Sequence, residues 1–288
     1  MKYIFKKKNI KLDYREIDKV YLNLDKGKIL RTNNINDIPH ADERRGGKIA
    51  YSEWAHVIGL FQSLFYFQLN NHVNNRILDI GSGAGLLAMA SKPFIKPDGE
   101  YLGLDVMKKD TEFCQKHYSD PNTKFEHFDI NNSKYAKDQN ENLIPWGVND
   151  NDFDLLSALS VWTHLKEDHA IFYFKEINRV LKKGGKAIIT FFYLDEGYRK
   201  TLKKRVDEKG KFHGTNQLSW IFSESAYDSS HWFSPDWVKV PEDAIGIDEK
   251  ALEILLKDTT LELVDYFPGN WKENVGFYFQ DVLVFQKK

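Results

Sequence analysis

The pattern of apolar and polar positions predicts strands and helices that alternate along most of the chain. Short apolar runs, typical of strands buried on both faces, occur at 77–80, 101–105, 124–128, 155–160, 186–193, 261–267 and 276–285. Apolar residues at steps of three and four predict helices from residue 86 onward and over 107–118, 169–181 and 249–257. This alternation indicates an α/β fold with a mostly parallel sheet.

The first 72 residues precede this pattern. Residues 20–24 and 28–31 flank the turn Asp25-Lys26-Gly27 and predict a hairpin. A polar, turn-rich stretch at 39–48 leads into a predicted amphipathic helix over Ile49–Leu69. Its aromatic stripe is typical of packing against a sheet. Polar residues just before and within the helix either face solvent or face a ligand; they are Arg44, Arg45, Tyr51, Glu53 and His56.

The segment from Leu194 to Asp248 is too long for a simple connection. It has a basic part (199–211) and a strongly aromatic part, WIFSESAYDSSHWFSPDW at 220–237. One interpretation is a small satellite core. The other is a lid that presents aromatic faces to a sugar or a planar ring, because an insertion leaving the end of the fifth strand hangs over the ligand face of the sheet.

The most informative stretch is RILDIGSGAGLLAM at 76–89. An apolar strand runs into three glycines at alternate positions, Gly81, Gly83 and Gly85, and a helix follows. Glycine permits a tight strand-to-helix turn and lets backbone approach a ligand, and the helix start directs N–H groups toward it. Asp105 ends the next strand twenty positions after Gly85. An acidic residue at that place in nucleotide-binding sheets accepts hydrogen bonds from ribose hydroxyls.

The pattern D-x-G-x-G-x-G from Asp79, followed by Asp105, resembles the class I S-adenosylmethionine-dependent methyltransferases. The resemblance implies a Rossmann-like, doubly wound, seven-stranded sheet with its last strand antiparallel. It further implies an N-terminal extension and hairpin-helix unit (1–72) over the active site and a methyltransferase domain (73–288), with the lid insertion at 194–248. S-adenosyl-L-methionine is the implied cofactor. The cofactor residues implied are Asp79, Gly81, Ser82, Gly83, Gly85, Asp105, Val106, Asp129, Ile130, Ser157, Ala158 and Leu159.

The stretch FDLLSALSVWTHL at 153–165 resembles the family's fourth motif, where a strand end lies beside the sulfonium and opens into the acceptor site. A hydroxyl acceptor needs a general base. The candidates are His164, His56, His231, His213 and Tyr51. A histidine after this strand also often binds backbone at the top of the sheet, so a structural role for His164 stays open.

Composition limits the remaining functions. The 41 basic and 42 acidic residues nearly cancel, which argues against nucleic-acid binding, and a single cysteine, Cys114, excludes an internal disulfide framework and fits a reducing compartment. No apolar run reaches the length of a membrane span and no signal peptide is evident, so we expect a cytoplasmic protein, monomeric or homodimeric, without a membrane partner and without a metal.

The expected activity is O-methylation of a sugar or another polar, ring-containing small molecule. The alternatives are N-methylation of a small molecule and a catalytically silent, methyltransferase-like binding protein. A nicotinamide-dependent oxidoreductase is disfavoured by Leu86, which occupies the place of the last small residue in the dinucleotide fingerprint, and by Asp79 before the first glycine.

Overall fold

The computed structural model describes residues 37–44, 48–130 and 143–288 of the 288-residue chain. The predicted hairpin at 20–31 and Arg45 lie outside these ranges. Six helices occur in the described part: α1 (Tyr51–Gln68), α2 (Leu86–Ile95), α3 (Lys108–His117), α4 (Glu167–Val180), α5 (Glu196–Leu202) and α6 (Glu249–Leu256). The strands are β1 (Arg76–Ile80), β2 (Glu100–Asp105), β3 (Thr123–His127), β4 (Phe153–Ala158), β5 (Leu181–Tyr193), β6 (Phe222–Ser225), β7 (Trp232–Pro235), β8 (Gly246–Ile247), β9 (Leu261–Phe267) and β10 (Asp281–Lys287).

The alternation of strands and helices produces a Rossmann-like sheet. Strands β3, β2, β1, β4 and β5 lie side by side and run parallel. Strand β10 continues the sheet antiparallel to β5, and among the described strands β9 pairs only with β10. The strand order changes direction between β1 and β4, which is where ligands of open α/β sheets bind.

The sheet contains ten strands among the described residues, where the sequence predicted seven. The additional strands, β6, β7 and β8, come from the insertion between β5 and α6. Strand β8 pairs with the last two residues of β5, Phe192 and Tyr193, and β7 and β6 follow antiparallel. Part of the insertion therefore extends the sheet itself.

Two layers of helices bury the faces of the sheet. On one face, residues of α1, α2 and α3 pack against Ile77, Leu155, Ile188 and Val282. On the other face, α4 and α6 pack against the residues that alternate with these along the strands. The aromatic stripe of α1 thus packs against the sheet, as the sequence predicted. No described helix is both long and apolar enough to cross a membrane.

The closing strand begins at Asp281 and not at Gly276 as the apolar run predicted. Residues before Asp281 fold back on the turn after β9: the N–H groups of Asn270 and Trp271 donate to the carbonyls of Tyr278 and Phe279 at 2.8 and 3.1 Å. Because these carbonyls are engaged locally, pairing with β5 starts only at Asp281. Phe277, Tyr278 and Phe279 extend the apolar run to the N-terminal side of Asp281, which is why the run alone placed the start of the strand too early.

Candidate active site

A cavity of about 380 Å³ lies at the carboxyl ends of the central parallel strands. It is lined mainly by apolar and aromatic side chains, with a few polar groups. The lining residues end or follow β1 (Ile80, Gly81, Gly83), end or follow β2 (Leu104, Asp105, Val106, Met107, Asp110), follow β3 (Phe128, Ile130, Trp146), or follow β4 (Leu159, Ser160, Val161, Trp162, His164, Leu165, His169, Tyr173).

The three glycines of the loop after β1 have different physical reasons to be glycine. All three have positive φ angles. A Cβ on Gly81 would meet Cγ2 of Val161 at 2.5 Å, and one on Gly85 would meet the ring of Tyr118 at 2.4 Å. A Cβ on Gly83 would meet nothing within 4 Å. Of the three, Gly81 and Gly83 line the cavity, and Gly83 is the one whose missing side chain leaves open space.

The backbone of the loop is largely bonded to the protein itself. Gly81 and Ser82 donate their N–H groups to the carbonyl of Leu104 at 2.8 and 3.2 Å. The N–H of Gly83 donates to Oδ2 of Asp105 at 2.7 Å, and that of Gly85 to the carbonyl of Ser82 at 2.9 Å. These four N–H groups therefore hold the turn, and the N–H groups that the sequence predicts to face a ligand belong to the start of α2, which begins at Leu86.

Asp105 occupies the place expected of a ribose-binding carboxylate. Its Oδ1 accepts a hydrogen bond of 2.7 Å from the N–H of Met107, and Oδ2 accepts the one from Gly83. Burial raises the pKa of Asp105, and the two N–H donors lower it in part. Each carboxylate oxygen accommodates about two hydrogen bonds, so each retains capacity for a hydroxyl of a bound ligand.

Asp79 lies beneath the loop and does not line the cavity. Its carboxylate accepts hydrogen bonds from the hydroxyls of Tyr101, at 2.6 Å, and Ser157, at 2.7 Å. Complete burial raises the pKa of Asp79 to about 7, although both hydroxyls lower it. Asp79 and Ser157 thus belong to a buried hydrogen-bond network that joins β1, β2 and β4.

The other cofactor residues implied by the resemblance separate into two groups. Val106, Ile130 and Leu159 line the cavity with the residues described above. Ser82, Gly85, Asp129 and Ala158 are not among the lining residues. Ala158 is buried in the sheet, and Asp129 is exposed between two lining residues, Phe128 and Ile130.

One of the candidate bases lies at the cavity. His164 lines it, and its Nδ1 bonds the carbonyl oxygen of Glu242 at 2.6 Å. His56 and Tyr51 are exposed on α1 and do not line the cavity, nor does His213, which contacts Glu273 and Thr215. His231 pairs through Nδ1 with Asp248 at 3.0 Å, also outside the cavity.

The aromatic residues of the insertion pack with one another and with the end of the sheet. Phe222, Trp220 and Phe233 form a cluster with Phe192 and Trp271. Trp232 is buried in the main core, whereas Tyr227 and Trp237 are about half exposed. None of the aromatic residues at 220–237 is among the described lining residues of the cavity. Their observed contacts are those of a satellite core.

Sequence reasoning missed several cavity residues. His169, in the first turn of α4, lines the cavity, and burial lowers the pKa of its imidazole. Tyr173, one turn further on, stacks on Trp146 with ring centroids 5.5 Å apart. The four-residue spacing of His169 and Tyr173 on a helix was a usable signal. Trp146 follows a stretch without apolar periodicity, so the sequence contained no comparable signal for it.

The residues present fit S-adenosylmethionine. The aromatic and aliphatic walls suit an adenine ring, and Asp105 suits the ribose hydroxyls. Two carboxylates, Asp105 and Asp110, line the cavity, while lysine and arginine are missing from its described lining, which suits a positively charged ligand. In the described ranges no group of three or more histidine, cysteine, aspartate or glutamate side chains is arranged to hold a metal ion.

Comparisons with known proteins agree with this geometry. Residues 78–189 match a family model described as a methyltransferase domain. The fold is similar to that of the PH0226 protein of Pyrococcus horikoshii OT3, with 17% identity, 82% of this chain and 92% of that chain covered, and a TM-score of 0.52. It is also similar to that of an S-adenosylmethionine-dependent methyltransferase of Mesorhizobium loti, with 13% identity, 78% and 96% covered, and a TM-score of 0.51.

The matched segment contains the glycine loop, Asp105 and all of the described residues that line the cavity. The fold and the site are thus those of a Rossmann-like methyltransferase. The chain thus contains a methyltransferase domain, and S-adenosylmethionine is its cofactor.

Proposed function

We propose that this methyltransferase transfers the methyl group to an oxygen atom of a polar, ring-containing small molecule, with His164 as the general base. The observation that carries the proposal is the hydrogen bond between Nδ1 of His164 and the carbonyl oxygen of Glu242. A carbonyl oxygen only accepts hydrogen bonds, so Nδ1 carries the hydrogen. In the neutral ring the lone pair is then on Nε2, in a side chain that lines the cavity.

When bound, S-adenosylmethionine supplies a methyl carbon that is already electrophilic. The chain must orient the acceptor, exclude water and take up one proton. A hydroxyl is a weak nucleophile until it loses its proton, so a base held in one tautomer favours an oxygen acceptor. Glu242 belongs to the insertion, and its carbonyl bond to His164 gives the insertion a role in positioning the base.

The walls of the cavity support an acceptor that contains a ring. Beside the walls that suit the adenine ring, Trp162 and the imidazoles of His164 and His169 line the cavity after β4. Aromatic faces bind planar rings and the apolar faces of sugars, and the few polar groups would orient hydroxyls. This support comes from the cavity itself and not from the aromatic residues of the insertion.

The test is methyl transfer from isotopically labelled S-adenosylmethionine to a panel of sugars, phenols and small amines, with mass spectrometry of the products. We expect O-methylated products. His164→Asn should lower turnover by about 10²–10⁴-fold while cofactor affinity, measured by calorimetry, stays unchanged. His56→Asn, at an exposed position outside the cavity, is the matched control. Products methylated only on nitrogen, or full turnover in His164→Asn, would contradict the proposal.

A further inference from the structure

A closed ring of hydrogen bonds lies behind the cavity, at the ends of β4 and β5 and the start of β10. The N–H of Ser160 donates to Oγ1 of Thr190 at 2.7 Å. The hydroxyl of Thr190 donates to Oε1 of Gln280 at 2.7 Å, and Nε2 of Gln280 donates to Oγ of Ser160 at 2.9 Å. Thr190 and Gln280 are buried, and Ser160 lines the cavity. Of the three residues in the ring, Ser160 is therefore the one that a ligand in the cavity can contact.

The ring holds Ser160 in an uncommon conformation. Its φ angle is +61°, in the left-handed region that non-glycine residues rarely adopt. Such strain persists only where surrounding contacts impose it, and it concentrates at functional sites. Here two hydrogen bonds from different elements fix the backbone and the hydroxyl of the same residue.

The direction of the hydrogen bonds in the ring determines whether the hydroxyl of Ser160 can donate or accept a hydrogen bond from the cavity side. Its oxygen already accepts from the amide of Gln280, so the ring does not use its hydrogen. The oxygen of Thr163 lies 3.3 Å away, which is long for an O–H···O hydrogen bond. Ser160 is thus presented to the cavity as a hydrogen-bond donor, and a carboxylate is a ligand group that only accepts.

The cofactor carries such a carboxylate at its amino-acid end. The backbone N–H groups of Gly81, Ser82, Gly83 and Gly85 are engaged within the protein. Lysine and arginine do not occur in the described lining of the cavity. Within the described lining, the donor to this carboxylate is therefore a neutral group. Ser160 is adjacent to Val161, whose side chain lies against Gly81, so it belongs to the loop end of the cavity.

We propose that the hydroxyl of Ser160 binds the carboxylate of the cofactor's amino-acid end, and that Gln280 and Thr190 are positioning residues for it. This assignment concerns the cofactor and holds whichever molecule accepts the methyl group. It rests on S-adenosylmethionine binding in the cavity.

The test compares S-adenosylmethionine with decarboxylated S-adenosylmethionine, which lacks only the carboxylate, by calorimetric titration. The wild type should prefer the carboxylated ligand. In Ser160→Gly this preference should fall about tenfold or more, with the affinity for the decarboxylated ligand unchanged. Glycine tolerates the φ angle of +61°, so this variant keeps the local backbone.

Two further variants separate ligand binding from backbone strain. Ser160→Ala also lacks the hydroxyl but keeps the strain, and it should lose the same preference. Asn151→Gly relieves a φ angle of +52° at an exposed position outside the cavity, and it should leave both affinities unchanged. Gln280→Met should also reduce the preference, because it removes the donor that orients the hydroxyl.

An equal loss of affinity for both ligands in Ser160→Gly would mean that the hydroxyl only holds the loop, and the proposal would fail. An unchanged preference would overturn it as well. A wild-type protein that binds neither ligand would instead contradict the cofactor assignment itself, so the two failures are distinguishable.

Discussion

Gly83 and Asp105 are joined by a hydrogen bond of 2.7 Å between the backbone N–H of the glycine and Oδ2 of the aspartate, across 22 positions of sequence. The bond fixes the glycine loop after β1 against the end of β2. Asp105 therefore has two functions: it orders the loop and it lines the cavity that the loop borders. A single carboxylate thus links the backbone geometry of the site to its ligand chemistry.

Asp105→Ala should lower the affinity for S-adenosylmethionine about tenfold or more, because charge-assisted hydrogen bonds to the ribose are lost and the loop loses its tether. Calorimetric titration measures this. Asp129→Ala, at an exposed carboxylate after β3, is the control and should bind like the wild type. Equal losses in both variants would support the cofactor role that the sequence resemblance implied for Asp129.

Gly81→Ala should destabilise the protein by about 1–3 kcal/mol, because a Cβ there meets Val161 at 2.5 Å and the φ angle is +72°. Denaturant unfolding gives the change in the free energy of unfolding. Adding Val161→Ala should recover the part due to the clash and leave the part due to φ. Gly147→Ala, where a Cβ meets nothing within 4 Å, should change stability by less than about 0.5 kcal/mol.

Lys272→Met should be among the most destabilising substitutions, at about 3–5 kcal/mol. The buried ammonium of Lys272 lies 2.9 Å from Asp195 and 2.9 Å from Asp281, and it also contacts the hydroxyl of Tyr266 at 2.7 Å. Removing the cation leaves two carboxylates without their counterion between the insertion and β10. Unfolding of Lys250→Met, which breaks an exposed pair with Glu253, is the comparison and should differ little from the wild type. A small effect in both variants would show that the buried network adjusts without its cation.

Asp79 should make the protein less stable as the pH rises from about 4 to 7. Its pKa in the folded state is raised to about 7, so the folded state binds the proton more tightly than the unfolded chain does. The contribution is present below the unfolded pKa and is lost as the pH passes through 7, with a slope of up to about 1.4 kcal/mol per pH unit. Asp79→Asn should flatten this part of the curve in denaturant unfolding from pH 4 to 8. If the free energy of unfolding of Asp79→Asn depends on pH as that of the wild type does, Asp79 is not the source of this pH dependence.

Trp232→Ala should cost about 3–5 kcal/mol of stability, since the side chain is only 1% exposed in the main core. Trp237→Ala should cost much less, because Trp237 is 48% exposed. Neither should change cofactor affinity, because neither residue lines the cavity. A folded Trp237→Ala or His231→Ala variant with impaired turnover would instead support the lid interpretation of the insertion.

The sequence by itself determined the parts of this protein that depend on local chemistry. Short apolar runs predict the central strands, and segments with apolar residues at steps of three and four predict the helices between them. Each helix buries one face, so its apolar residues recur with the helical period. The glycine loop and Asp105 are also recognisable from local sequence. Positive φ angles in the loop favour glycine at fixed positions, and Asp105 is the last residue of β2.

Only the tertiary structure decided which polar residues meet. Ser160, Thr190 and Gln280 are separated by 30, 90 and 120 positions, and nothing local marks them as one ring. Asp79 carries the first acidic position of the motif, yet the packing of Tyr101 and Ser157 beneath the loop gives it a buried network. The closing strand starts at Asp281 because hydrogen bonds to the preceding turn compete with the sheet, and periodicity does not record that competition.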